Sequence, residues 1–95
     1  MAKTVTLVSG RVDPLRHPGL VKEYEAGTGA GLPPGVEQTF LLRRDDEIAV
    51  MTLWAAREDL ETMIATGEEP FARRLIRSAG GAPKVQVFDV VAHVV

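Results

Sequence analysis

The chain has 95 residues, of which 45% are hydrophobic, enough for one domain with one core, read here as spanning residues 1–95. Eleven basic against thirteen acidic residues leave a net charge of −2, too weak a field to recruit a nucleic acid or an anionic membrane. The lack of cysteine removes any disulfide framework or thiolate metal site, and without a signal-peptide pattern or a bilayer-length apolar run the chain is expected to work in the cytoplasm.

Residues 4–12 are rich in β-branched side chains and free of proline, which predicts a first strand, with Gly10 as a bulge or a point of close approach. Asp13 suits the cap of a following helix and Pro14 its first turn, while Pro18 predicts that this helix is broken or restarted. Leu20, Val21 and Tyr24 lie on one helical stripe. The helix is expected to end near Ala26, because the glycines at 27, 29 and 31 and the Pro33-Pro34 pair work against its continuation. Residues 27–35 are therefore read as a flexible gate; these glycines do not lead from a strand into a helix, as a dinucleotide fingerprint requires.

The stretch 36–54 carries the clearest signal. Residues 36–43 and 48–54 are strand-like runs around Arg44-Asp45-Asp46-Glu47, the second rich in β-branched and aromatic residues, the pattern of a hairpin. Residues 55–65 turn helical, with Leu60, Met63 and Ile64 facing inward. Gly67 interrupts them, and Thr66 and Glu69 have the spacing of a capping box for a further helix with Pro70 in its first turn. Phe71, Leu75 and Ile76 make the apolar face of that helix, Arg73, Arg74 and Arg77 its polar face, read as solvated or as holding a carboxylate, and Gly80-Gly81 its end. Residues 84–95 predict a long last strand.

The order β-α-β-β-α-β is that of a ferredoxin-like α+β fold, a four-stranded antiparallel sheet with its helices on one face. Both alternating sets of the last strand are largely apolar, so the face opposite the helices needs cover as well. A second copy of the chain is the expected cover, giving a homodimer.

Pro34-Gly35 before the second strand, Leu42-Arg43-Arg44-Asp45-Asp46 at the turn, Trp54 closing the third strand, a broken second helix and a Val/Phe-rich last strand together resemble the antibiotic biosynthesis monooxygenase-like family of dimeric α+β barrels. The resemblance covers nearly the whole chain. It implies two sheets facing each other in a homodimer, and a pocket in each subunit between its own sheet and helices. Some members oxidise aromatic polyketides with dioxygen and no cofactor. Others cleave haem with an Asn on the first strand and a His on the second helix; this sequence has no Asn and no His between residues 55 and 81, so a haem site of that kind is not expected. The implied function is a cofactor-independent monooxygenase acting on an aromatic or polyketide-like small molecule, in a pocket lined by Trp54, Tyr24, Phe40, Met63 and Phe71. The alternative is a non-catalytic small-molecule-binding or structural homodimer, and fold analogy alone does not separate the two.

Trp54 is the catalytic candidate that the resemblance carries over; by its own chemistry a single Trp in a small domain is also an ordinary core residue. Asp89, between Phe88 and Val90, is the second candidate, because a carboxylate in a buried strand needs a cationic partner or a functional reason. Arg11, Arg43 and Arg44 are the partners available to it. Tyr24, the only tyrosine, is placed with its ring on the sheet and its hydroxyl at the pocket mouth, or equally as a residue at the edge of the core. His93 is a candidate acid or base, or a solvated residue. His17 is expected to be exposed, and two histidines without a chelating spacing do not make a metal site.

Overall fold

The structure, a computed structural model, describes residues 2–94. β1 (Thr4–Arg11) leads through a short 3-10 helix (Pro14–Arg16) into α1 (His17–Gly29). The hairpin follows as β2 (Val36–Arg44) and β3 (Glu47–Trp54), then α2 (Arg57–Ala65), α3 (Phe71–Ser78) and β4 (Lys84–Asp89). The strands pair antiparallel in the order β2-β3-β1-β4, the α+β ferredoxin-like topology read from the sequence. Asp45 takes up the left-handed conformation of the hairpin turn (φ 55°), which Asp tolerates better than most residues. Asp46 ties the turn to β1, its carboxylate accepting from Arg11 at 2.9 Å and its carbonyl from the Val12 amide at 2.8 Å.

Strand pairing decides which side chains meet the helices. Thr4, Thr6 and Val8 of β1 are buried on the helical side, as are Ile48, Val50 and Trp54 of β3. On β2 the register shifts between Val36, opposite Trp54, and Gln38, opposite Leu53. Simple alternation from Val36 would bring Phe40 to the helical side, but one extra residue reverses the parity of everything after it. Thr39 and Leu41 therefore join the helical side. Phe40 stands on the opposite face, 43% exposed, with Leu42 and Phe88, and the expectation that it lines a pocket between sheet and helices is corrected.

The core occupies one half of the helical side, where Val8, Ile48 and Val50 of the sheet meet Leu20 of α1 and Leu75 and Ile76 of α3. Two glycines permit this closeness. A Cβ at Gly10 would stand 2.7 Å from Ile76 Cγ2, and one at Gly81 2.8 Å from the same atom. Gly10 is thus a close approach rather than a bulge.

Several local expectations are overturned. α1 continues to Gly29 instead of ending near Ala26, and Gly27 is part of the reason: a Cβ there would collide with the Phe71 ring, so the glycine is a packing notch between α1 and α3. The loop shrinks to residues 30–35. His17 is buried, not exposed, because the 3-10 turn folds it back so that Nε2 donates to the Val12 carbonyl at 2.9 Å. The capping box does not form. Thr66 still belongs to the last turn of α2, where its N–H donates to the Met63 carbonyl, and the side chain of Glu69 lies by Arg77 instead. The last strand ends at Asp89, opposite Thr4, where β1 begins; beyond the Val90 amide, which donates to the Lys3 carbonyl, residues 91–94 have no strand to pair with and are exposed. Val95, the end of the predicted strand, lies outside the described residues.

Candidate functional site

Trp54, Ala56 and Leu60 are also buried, yet they stand apart from the main core cluster. Between the two groups lies a cavity of about 610 Å³, within the range of small-molecule sites. Its floor is the helical side of the sheet, its walls are α2 and α3, and Leu32 and Pro33 stand at its edge from the loop before β2. Most of the wall is apolar: Val8, Val50, Leu60, Met63, Phe71 and Val85 contribute.

Three of the expected pocket residues meet here, Trp54 from the end of β3, Met63 from α2 and Phe71 from α3. Trp54 is only 3% exposed, and its indole nitrogen donates to the Thr6 hydroxyl at 3.1 Å. The core and pocket readings of Trp54 therefore both describe it. Tyr24 packs beside the core rather than lining the cavity, and reaches it through a bond from its hydroxyl to that of Thr39, 3.1 Å away. Phe40 is on the other face of the sheet. Asp89 is not in a buried strand: it sits at the open end of the edge strand β4, more than half exposed, and accepts from Arg57 of α2 at 2.9 Å. Of the partners expected for it, Arg11 pairs with Asp46 and Arg44 with Glu47 instead, and Arg43 does not pair with it.

Sequence reading missed the threonines of the site. Thr6, Thr39 and Thr52 all line the cavity, and strand register puts them in one row, Thr39 opposite Thr52 and Thr52 opposite Thr6. The period-two spacing of Thr4 and Thr6 was their only trace in the sequence, and it serves equally as strand propensity. Arg73, read with Arg74 and Arg77 as a solvated helix face or a holder of a carboxylate, lines the cavity, and its Nε is buried without a hydrogen-bond partner. Beside it Arg77 Nε lies 3.1 Å from Glu69 Oε1, an ion pair without good hydrogen-bond alignment. A buried donor of this kind calls for an acceptor from water or a ligand. Among the described residues no group of three or more His, Asp or Glu is placed to hold a metal ion, and no helix is long and apolar enough to cross a membrane.

The four-stranded antiparallel sheet covered on one face by helices is a fold shared with solved structures of antibiotic biosynthesis monooxygenase-like proteins. A monooxygenase of Streptomyces coelicolor, solved in complex with nanaomycin D, has this fold with a TM-score of 0.73 at 16% identity, over 99% of this chain and 92% of that one. SnoaB, a cofactor-independent oxygenase of Streptomyces nogalater, matches at a TM-score of 0.66 and 13% identity over 96% and 95% of the two chains. A protein of unknown function from Nitrosomonas europaea matches at 0.74 and 15% over 100% and 95%. At these identities the likeness establishes the fold. No family profile matches the sequence, and no curated protein is similar to it at the sequence level.

Proposed function

We propose that the protein is a cofactor-independent monooxygenase that oxidises a hydroxylated aromatic or polyketide-like small molecule in the cavity between its sheet and helices. The observation that carries this reading is the cavity, about 610 Å³ and mainly apolar, with Trp54 presented from the sheet and Phe71 from α3. Two aromatic side chains in such a space suit a flat, unsaturated ligand. The neighbours of the same fold include a cofactor-independent oxygenase, which supports the reading.

Chemistry of this kind asks little of the protein. A ring made electron-rich by loss of a phenolic proton passes an electron to dioxygen without help, and a ring CH2 and O2 then become C=O and H2O, which balances with no external reductant. The chain supplies an apolar enclosure, orientation and a charge for the substrate anion. Arg73, with its unpartnered buried Nε, is the group for that last task. Asp89, outside the cavity, has no part in this reading.

We also infer that the working unit is a homodimer. The face of the sheet turned away from the helices carries Val5, Leu7, Phe40, Leu42, Met51 and Phe88, and Phe40, Leu42 and Phe88 are each more than 40% exposed in one chain. A continuous apolar face of this kind is stable in water only when covered. Binding without turnover is the other reading of the same cavity. The test is a panel of hydroxylated polycyclic aromatics, followed by quenching of Trp54, the only tryptophan, with oxygen uptake recorded alongside. Quenching with uptake supports the oxygenase; quenching without uptake supports a non-catalytic binder, and absence of quenching removes the ligand site.

A further inference from the structure

The bond between Trp54 and Thr6 at the cavity floor has a forced direction. An indole N–H has no acceptor capacity, so over the 3.1 Å between them Trp54 donates and the Thr6 oxygen accepts. A hydroxyl that accepts keeps its own hydrogen to give away. Thr6 is 7% exposed and lines the cavity. Among the described residues its hydroxyl donates to no other group, and of its two neighbours in the row, Thr52 and Val87, one is aliphatic. A buried donor left without an acceptor is costly; no hydrogen bond joins Thr6 to the Thr52 hydroxyl, and the cavity that Thr6 lines is where water or a ligand supplies one.

We propose that the Thr6 hydroxyl anchors an acceptor oxygen on the ligand, a ring carbonyl or a phenolate, and that Trp54 is a positioning residue that holds Thr6 as the donor. This rests on the reading of the cavity as the ligand site and specifies the ligand further. Across the sheet the Tyr24 hydroxyl is bonded to that of Thr39, which stands opposite Thr52 in the same row. The row Thr39, Thr52, Thr6 thus forms a hydroxyl strip, whereas the adjacent row of Leu41, Val50, Val8 and Val85 is wholly aliphatic. A ligand fits this floor with its oxygen-bearing edge along the strip and its hydrocarbon body over the valines.

The test uses 1-tetralone and tetralin, two-ring probes that differ by one carbonyl oxygen, titrated calorimetrically into the intact protein. The wild-type protein is expected to prefer the ketone. Thr6→Val should erase a roughly 2- to 10-fold preference, the size of one neutral hydrogen bond, while tetralin binding is retained and shows that the cavity is intact. Thr6→Ser should keep the preference. Trp54→Phe, which leaves the threonine in place but frees its rotor, should lower the preference without removing it, and this arm stands even if Thr6→Val fails to fold. Equal preference in wild type and Thr6→Val, or an unchanged preference in Trp54→Phe, overturns the proposal while the cavity reading survives. Binding of neither probe to the wild-type protein overturns the cavity reading and the proposal with it.

Discussion

Replacing Trp54 by alanine tests the packing of the site more sharply than any other single change. The ring is 3% exposed and its N–H is bonded to Thr6, so truncation removes a large buried aromatic and also the donor that satisfies a buried hydroxyl. Buried aromatic-to-alanine changes cost about 3–5 kcal/mol. Because Trp54 borders the cavity, the loss is expected near the lower end, at about 3 kcal/mol. For a domain of this size that is a fall in Tm of roughly 12–24 °C, and a large fraction of a total stability of about 5–15 kcal/mol. Trp54→Phe keeps most of the ring and loses the hydrogen bond, so it should cost about 1–2 kcal/mol. Urea titration followed by far-ultraviolet circular dichroism is the right assay, since the substitution removes the only tryptophan. A loss below about 1.5 kcal/mol for the alanine variant, close to an average substitution, would refute the reasoning that the ring is fully packed.

Three further outcomes are expected. Gly10→Ala should lower the urea midpoint by the equivalent of about 1–3 kcal/mol, because the new Cβ would stand 2.7 Å from Ile76 Cγ2 in the tightest part of the core; an unchanged midpoint would show that the strand and α3 are not in close contact. Gly27→Ala should give none of the roughly 1 kcal/mol that alanine normally gains over glycine inside a helix, because its methyl meets the Phe71 ring. The same change in a Phe71→Ala background should recover that gain, and denaturation of the four proteins measures the coupling. Light scattering at micromolar concentration should report about twice the 10.3 kDa chain mass, with an interface above roughly 1,200 Å² in total; a particle of one chain mass would remove the homodimer.

The elements were legible where local chemistry alone decides them. The hairpin was readable from two strand-like runs around Asp45-Asp46, and the end of α3 from Gly80-Gly81, because a turn residue's conformational preference acts without help from the rest of the chain. What stayed hidden depends on register or on the path of the chain in space. The face that Phe40 takes depends on one extra residue near Glu37 that reverses the strand's parity, and no side chain there announces a bulge. The burial of His17 comes from the fold-back of the preceding 3-10 turn, which no local pattern shows. The hydroxyl strip was invisible for a related reason: Thr6, Thr39 and Thr52 are 33 and 13 residues apart along the chain and become neighbours only through pairing of three strands. Arg73 lay on the polar side of a helical wheel, and nothing in that wheel distinguishes a cavity from solvent.

Incubation with anthrone under 18O2, followed by mass spectrometry of the product, tests the proposed oxygenation most directly. Its reacting carbon is a ring methylene flanked by two aromatic rings, and the opposite carbonyl offers the acceptor oxygen that Thr6 would hold. The expected result is anthraquinone formed faster than in a protein-free control and carrying one 18O atom from dioxygen, with the second atom lost as water, and a much lower rate in the Arg73→Ala variant. Conversion no faster than the control, with anthrone nonetheless quenching Trp54, would contradict the oxygenase and leave a binding protein of the same fold.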